Sequence, residues 1–192
     1  MERYKKMSTK KIDRRDLSQE KDRDSLLLKD RECATTADKN LYIFRGNFIH
    51  TIDDKGRLSL PADFREQLRA RGERSVVLTN YISDGARCLE GFGITAWSEF
   101  EKKLRVKSRF SSKLQQLENY YLSRSAECAF DDGGRILVPQ HLRQYANLER
   151  EVTFTSSIHG FRIWDKRVWE SIFDAAESAL MENPDLFADV DI

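Results

Sequence analysis

Two short stretches hold the residue types from which recognition chemistry can be made. Asp53-Asp54-Lys55-Gly56-Arg57 and Asp131-Asp132-Gly133-Gly134-Arg135 each place a carboxylate four residues before an arginine, with a glycine between them. A guanidinium is a planar fork that matches guanine edges or phosphate oxygens in two-point contact. A carboxylate across a tight turn can aim that fork, or can close the turn by accepting backbone N–H groups. Asp53 and Asp131 are thus the turn or orienting residues, and Gly56 and Gly134 supply the positive-φ position. Arg57 and Arg135, directly after the turns, are the side chains that would meet a polyanion. Lys55 offers a point charge for phosphate, and Arg45 and Arg65 are weaker candidates. On spacing alone a plainer reading stays open, in which both Asp–Arg pairs are surface ion pairs that hold hairpins.

Other chemistries fit less well. The Asp53-Asp54 and Asp131-Asp132 pairs would suit a metal-dependent nuclease, but no Glu-x-Lys or His stands at useful spacing. His50, His141 and His159 are scattered, with His50 on an apolar strand face and His141 on a helix, so no metal site is expected. No G-x-S-x-G or phosphate-loop motif occurs, and no cofactor, small-molecule substrate or enzymatic activity is expected. Trp97, Trp164 and Trp169 read as core rather than as a stacking platform for bases.

The elements that carry the two turns recur. Phe48–Leu68 and Ala126–Ala146 align without a gap at a spacing of 78 residues. Asp53/Asp131, Asp54/Asp132, Gly56/Gly134, Arg57/Arg135, Pro61/Pro139 and Arg65/Arg143 fall in register, as do the apolar pairs Ile52/Phe130, Leu58/Ile136, Leu60/Val138 and Phe64/Leu142. One supersecondary unit therefore occurs twice. Residues 47–52 alternate with Phe48, His50 and Ile52 on one face, and Ala126, Cys128 and Phe130 repeat the pattern, which makes each a strand with one buried face. A hairpin turn and a second strand follow (Arg57–Leu60; Arg135–Val138). Helices then open at Pro61 and Pro139, where a missing N–H costs nothing in the first turn (Pro61–Arg71; Pro139–Tyr145). Strand-like runs come next at Val76–Thr79 and Val152–Thr155, with aromatic stretches around Phe92 and Phe161–Trp164. A unit of about fifty residues is too small to fold well alone, so the two should share one core.

Further helices are expected at Ala96–Val106 (Trp97, Phe100 and Leu104 inward), at Ser111–Arg124 (Leu114, Leu117 and Tyr121 inward) and at Lys166–Glu182. The last has a buried stripe of Val168, Ile172, Ala176, Ala179 and Leu180. Segment 102–124 is the most basic stretch, with Lys102, Lys103, Arg105, Lys107, Arg109, Lys113 and Arg124 against Glu118 alone.

Length and composition bound the rest. The 192 residues are 40% hydrophobic and 34% charged, with a net charge of +1, and allow one ordinary domain or two small ones. The charge is uneven. Residues 1–40 carry 12 basic and 9 acidic groups, a net of +3, whereas 170–192 carry seven acidic groups and no Lys or Arg. The remaining residues 41–169 therefore hold +5, a local field that suits a polyanionic partner. No apolar run suggests a membrane helix or a signal-peptide core. Cys33, Cys88 and Cys128 are odd in number and widely spaced, which fits a reducing cytoplasm. Residues 1–42 read as a disordered charged extension. The repeats read as 43–96 and 125–169, joined by connecting helices at 97–124, with a helix and acidic tail at 170–192.

Phe44-Arg45-Gly46, the turn of the first unit with Leu58-Ser59-Leu60-Pro61, and Asp131–Arg143 of the second together resemble the MraZ family. These are bacterial transcriptional regulators built from two AbrB-like (SpoVT–AbrB) swapped-hairpin repeats, and the resemblance spans about Ile43 to Trp169. It implies an α+β fold in which tandem repeats form a pseudo-dimeric β-barrel core with flanking helices. It also implies a homo-oligomeric ring, nucleoid-associated in the cytoplasm. Such a ring would bind short direct repeats of double-stranded DNA upstream of a division and cell-wall gene cluster, as a repressor. Residues 1–42 are extra to the family's pattern, and Gly133 stands where the first unit has Lys55. A rival reading of the same fold is a protein-interaction or scaffold module whose ring binds a partner protein.

Overall fold

Alternation of buried and exposed residues forms the strands of both units, and the proline after each hairpin sets the start of a helix. The computed structural model describes residues 44–107, 111–186 and 188, so the expected N-terminal extension lies outside the described residues. The first unit runs β1 (Asn47–Thr51), β2 (Arg57–Ser59), α1 (Ala62–Ala70), β3 (Ser75–Ser83) and β4 (Ala86–Gly93). Then come α2 (Ile94–Arg105) and α3 (Ser112–Leu117), the latter running into a π-helical turn at Glu118–Leu122. The second unit repeats the order as β5 (Ala126–Ala129), β6 (Arg135–Leu137), α4 (Gln140–Tyr145), β7 (Glu151–Ser156) and β8 (Phe161–Asp165), and α5 (Lys166–Glu182) follows.

The two units exchange their first strands. β1 pairs with β7 of the other unit, Phe48 opposite Phe154, while β5 pairs with β3, Val76 opposite Cys128. The resulting antiparallel sheet has the order β1-β7-β8-β4-β3-β5, and β2 and β6 form a separate two-stranded ribbon. A closed barrel is therefore not what the described residues form. The sheet ends at β1 and β5, and the step from each edge to the ribbon is a single bridge, Ile52–Leu58 or Phe130–Ile136. The tight Asp–Gly turns bend the chain too sharply at those points for a continuous ladder.

The units do share one core. Leu58, Phe64, Leu68 and Leu78 of the first unit and Ile136, Leu142, Phe154 and Phe161 of the second are all fully buried in the same cluster. Phe64 is its hub, with the rings of Phe44, Phe48, Phe161 and Phe154 centred 4.8, 5.4, 5.5 and 6.2 Å away. A smaller cluster of Val77, Phe92 and Trp97 lies beneath α2. The Glu73 carboxylate caps that helix by accepting the Thr95 N–H (3.0 Å) and hydroxyl (2.6 Å).

Four expectations need correction. Pro61 and Pro139 are not inside the first turn but one residue earlier, as caps with extended ψ of 143°. The short run at Val76–Thr79 is a nine-residue strand that turns through Asp84 (φ +51°) and Gly85 (φ +76°) directly into β4, a two-residue hairpin of the Asp-Gly type. The helix expected over Ser111–Arg124 widens into a π turn in which Ser123 N donates to Glu118 O at 3.2 Å, and β3 satisfies two carbonyls left at its end: Thr79 Oγ1 donates to Tyr121 O at 2.8 Å and Asn80 Nδ2 to Tyr120 O at 2.9 Å. The stripe of α5 is only partly covered. Val168, Ile172 and Ala179 are half-buried, Ala176 and Leu180 are exposed, and so are Phe173 and Met181. The Trp169 ring packs tilted against Trp164 at 5.7 Å near the start of α5, and the helix beyond it is mostly exposed.

Candidate nucleic-acid interface

The ribbon is built from one strand of each unit. Leu58 faces Ile136 at its centre, both fully buried, so the pleat sends the flanking residues outward. Arg57 stands opposite Leu137 and Ser59 opposite Arg135. Backbone bonds from Val138 N to Gly56 O and from Leu60 N to Gly134 O, both 2.9 Å, extend the pairing to the two turns. The outer face of a single ribbon thus presents both arginines, placed diagonally at roughly 7–8 Å between Cα atoms. The sequence located two separate hairpins; their union into one surface is visible only in the fold.

Each turn is closed as its residues imply. Gly56 N donates to Asp53 O at 2.8 Å, and Gly56 has φ +83°. Asp53 Oδ1 accepts the N–H groups of Lys55 (3.0 Å) and Arg57 (2.8 Å), while Oδ2 accepts Arg57 Nε at 2.7 Å. The second turn matches it: Gly134 has φ +78°, and Asp131 accepts the Arg135 backbone N–H at 3.0 Å and Nε at 2.8 Å. Backbone and guanidinium N–H groups of Arg57 hold the Asp53 carboxyl below the usual carboxylate range, and Arg135 does the same to Asp131. Arg57 is held through Nε and Arg135 through both Nε and Nη2, and each side chain is still about half exposed. The ion-pair and the recognition readings are therefore compatible, because the pair pre-aims the fork.

Arg65 is not on this face. Its Nη1 donates to Gly133 O at 2.8 Å, so the helix of the first unit braces the turn of the second. Arg69 from the same helix donates to Asp132 O at 3.2 Å and lies over the Phe130 ring. The brace is reciprocal: a Cβ on Gly56 would stand 2.8 Å from the Arg143 guanidinium carbon, and one on Gly134 would collide with the Arg65 side chain. Only glycine lets these arginines lie flat on the turns. Lys55 is exposed at the tip of the first turn. Arg45 is exposed but precedes β1, about 17 Å of strand away from the Asp53 turn, and does not join the ribbon. His50 is packed edge-on against Phe154, and burial with the nearby Arg65 charge lowers its pKa. Sequence reasoning missed Arg69, Arg143 and Leu137 as members of this region. The signal for Arg143 was its register with Arg65, and for Leu137 the apolar residue in an outward slot that holds Ser59 in the first unit.

No helix among the described residues is long and apolar enough to cross a membrane, and no cluster of His, Cys, Asp and Glu there is arranged to hold a metal ion. The basic segment is in part neutralised, with Lys102 bound to Glu99 at 2.7 Å and Arg105 to Glu101 at 3.7 Å; Arg109 lies outside the described residues.

A family model described as "MraZ protein, putative antitoxin-like" matches twice, over residues 43–118 and 122–188, once for each unit. Among known proteins, the chain is 37% identical over 136 residues to a transcriptional regulator MraZ of Limosilactobacillus fermentum, covering 71% of this chain and 90% of that one. It is 36% identical over 146 residues to the Roseiflexus castenholzii protein of the same name, covering 76% and 94%. With the Syntrophobacter fumaroxidans counterpart, also so named, it shares 36% over 128 residues, or 67% and 83% of the two chains. Two matched units, joined across one ribbon and aligned with relatives along nearly their whole length, place this chain in the MraZ family.

Proposed function

We propose that the chain is a DNA-binding transcriptional regulator that lays the β2–β6 ribbon into a groove of the duplex. The observation that carries this reading is the shared outer face of Arg57 and Arg135, each aimed by its own aspartate. A two-stranded ribbon fits the major groove, and arginine is the commonest side chain to read guanine there. The transcriptional regulators among its relatives support it. We read the exchange of β1 and β5 as the swapped hairpin of an AbrB-like pseudo-dimer, with repeats at 43–96 and 125–169, connecting helices at 97–124 and an acidic end at 170–192. One ribbon offers few contacts, so useful affinity requires several subunits on one duplex. A homo-oligomeric ring on short direct repeats, upstream of a division and cell-wall gene cluster and acting as a nucleoid-bound repressor in the cytoplasm, completes the proposal.

A gel shift with the DNA upstream of the chain's own gene tests it. Arg57→Ala should cost about 1–3 kcal/mol per contact, and Arg135→Ala the same or less because Gly133 replaces the lysine of the first turn. Arg57→Lys should restore binding only if charge alone matters. Affinity should fall steeply with salt as counterions are released. Unchanged affinity of the Arg57→Ala/Arg135→Ala double variant, with the oligomer intact, would move the interface off the ribbon. The second reading, docking of another protein, is favoured by one observation, the exposed Phe173 and Met181 on α5. Binding that hardly responds to salt would support it.

A further inference from the structure

The ribbon's outer face breaks its own two-fold pattern at one place. Arg57 and Arg135 are equivalent, but the slot that holds Ser59 in the first unit holds Leu137 in the second. Leu137 is 58% exposed, although its neighbours on either side, Ile136 and Val138, are fully buried. A single exposed leucine is ordinary on a protein surface. This one, however, stands directly across from Arg57. The bonds between Gly56 and Val138 and between Leu60 and Gly134 make Arg57–Leu137 a non-hydrogen-bonded pair, the type in which side chains lie closest. A duplex whose groove receives Arg57 at this end of the ribbon therefore also meets an apolar side chain.

The one apolar group on a base edge in the major groove is the 5-methyl of thymine. We propose that Leu137 is a specificity residue that packs on a thymine methyl beside the base or phosphate held by Arg57; this rests on the ribbon being the DNA-binding face. The other end of the ribbon pairs Arg135 with Ser59, which has no such group to offer. Each subunit thus reads its site with a polarity, apolar at one end and hydroxylic at the other. A polar reader of that kind suits sites repeated head to tail better than palindromes.

The test compares two duplexes of the region upstream of the chain's own gene, one made with dTTP and one with dUTP, which lacks only the methyl. Affinities are read by fluorescence anisotropy, and light scattering checks the mass of each variant. The wild-type chain should bind the thymine duplex about threefold to tenfold more tightly per repeat, the ordinary worth of a methyl group removed from water. Leu137→Ser, which copies the first unit, should bind both duplexes alike, and Leu137→Thr, which keeps one methyl, should retain part of the preference. Equal wild-type affinity for both duplexes, with binding still dependent on Arg57, overturns the role of Leu137 and leaves the ribbon in place. A thymine preference that survives in Leu137→Ser overturns it too, as does an altered mass with an unaltered preference, which makes Leu137 a contact between copies. Failure of the wild type to bind either duplex removes the DNA-binding reading itself, and this proposal with it.

Discussion

Gly134→Ala should destabilise the chain by about 1.5–3.5 kcal/mol, through a contact that spans the two repeats. The residue is buried with φ +78°, a left-handed conformation that costs an alanine about 1–2 kcal/mol. The new methyl group also falls on the Arg65 side chain, which must swing away and give up its hydrogen bond to Gly133 O, worth about 0.5–1.5 kcal/mol. For a folded unit of about 150 residues the sum lowers the melting temperature by about 3–14 °C. Urea titration should show an earlier midpoint with an unchanged slope. The two contributions separate in a cycle. Arg65→Ala alone loses the hydrogen bond, but added to Gly134→Ala it should cost little more, because the side chain has already been displaced. Gly56→Ala is the counterpart in the first turn, where the new methyl meets the Arg143 guanidinium and threatens its Nε bond to Val138 O (3.1 Å). Additive losses for Gly134→Ala and Arg65→Ala, or a change below 0.5 kcal/mol for Gly134→Ala, would refute the brace between α1 and the second turn.

Phe64→Ala removes the hub of the aromatic cluster and should cost about 3–5 kcal/mol, read as loss of the cooperative transition at moderate urea. Cys88 and Cys128 should resist maleimide in the native chain and react on unfolding, because burial pushes their thiols up to about 12 and about 11. His50 has its pKa lowered by burial and by Arg65, so the folded state disfavours its charged form. Stability tied to it is present above the ordinary value of about 6.5 and is lost as pH falls through that range. His50→Gln should flatten that part of a urea-midpoint profile between pH 7.5 and 5.5. Asp53 and Asp131 are depressed below their ordinary value of about 3.9, so their turns should stay ordered at pH 5 and loosen only as pH drops below that value. Carboxyl NMR titration that gave ordinary midpoints for both would disprove the aimed-fork geometry.

The site was legible where local chemistry decides it. Asp, Gly and Arg at fixed spacing specify a turn whatever surrounds it, and Asp53 and Asp131 make the backbone bonds that their positions imply. Period two told which residues of β2 and β6 face inward, and Leu58 and Ile136 are indeed core. Periodicity assigns a face but no neighbour, however. Nothing local says that Phe48 lies against Phe154 or that Arg57 shares a ribbon with Leu137. The same gap hid Arg65, whose charge suggested DNA while its geometry serves the other repeat's turn. Asp84-Gly85 was a readable hairpin signal that marked the long β3–β4 pair. The stripe on α5 misled because an amphipathic pattern reports the preference of a helix for cover, while its packing depends on what the fold sets against it, and α5 has no fully buried residue.

The exchange of first strands has a consequence for the order of events during synthesis. Phe48 leaves the ribosome about a hundred residues before Phe154, which at roughly 5–20 residues per second is an interval on the order of 5–20 s. Throughout it β1 has no partner, and for most of it the edge of β3 also stays open until β5 follows. The nascent first half is therefore a sticky species with open strand edges, able to capture the first half of a neighbouring chain on the same message. Pairing across chains at that stage would lay β1 of one chain on β3 of the other in the place its counterpart β5 takes in the finished fold, an intertwined dimer held by repeat-equivalent contacts. Slowing translation between residues 100 and 125 should raise its yield, and faster completion of β7 should suppress it.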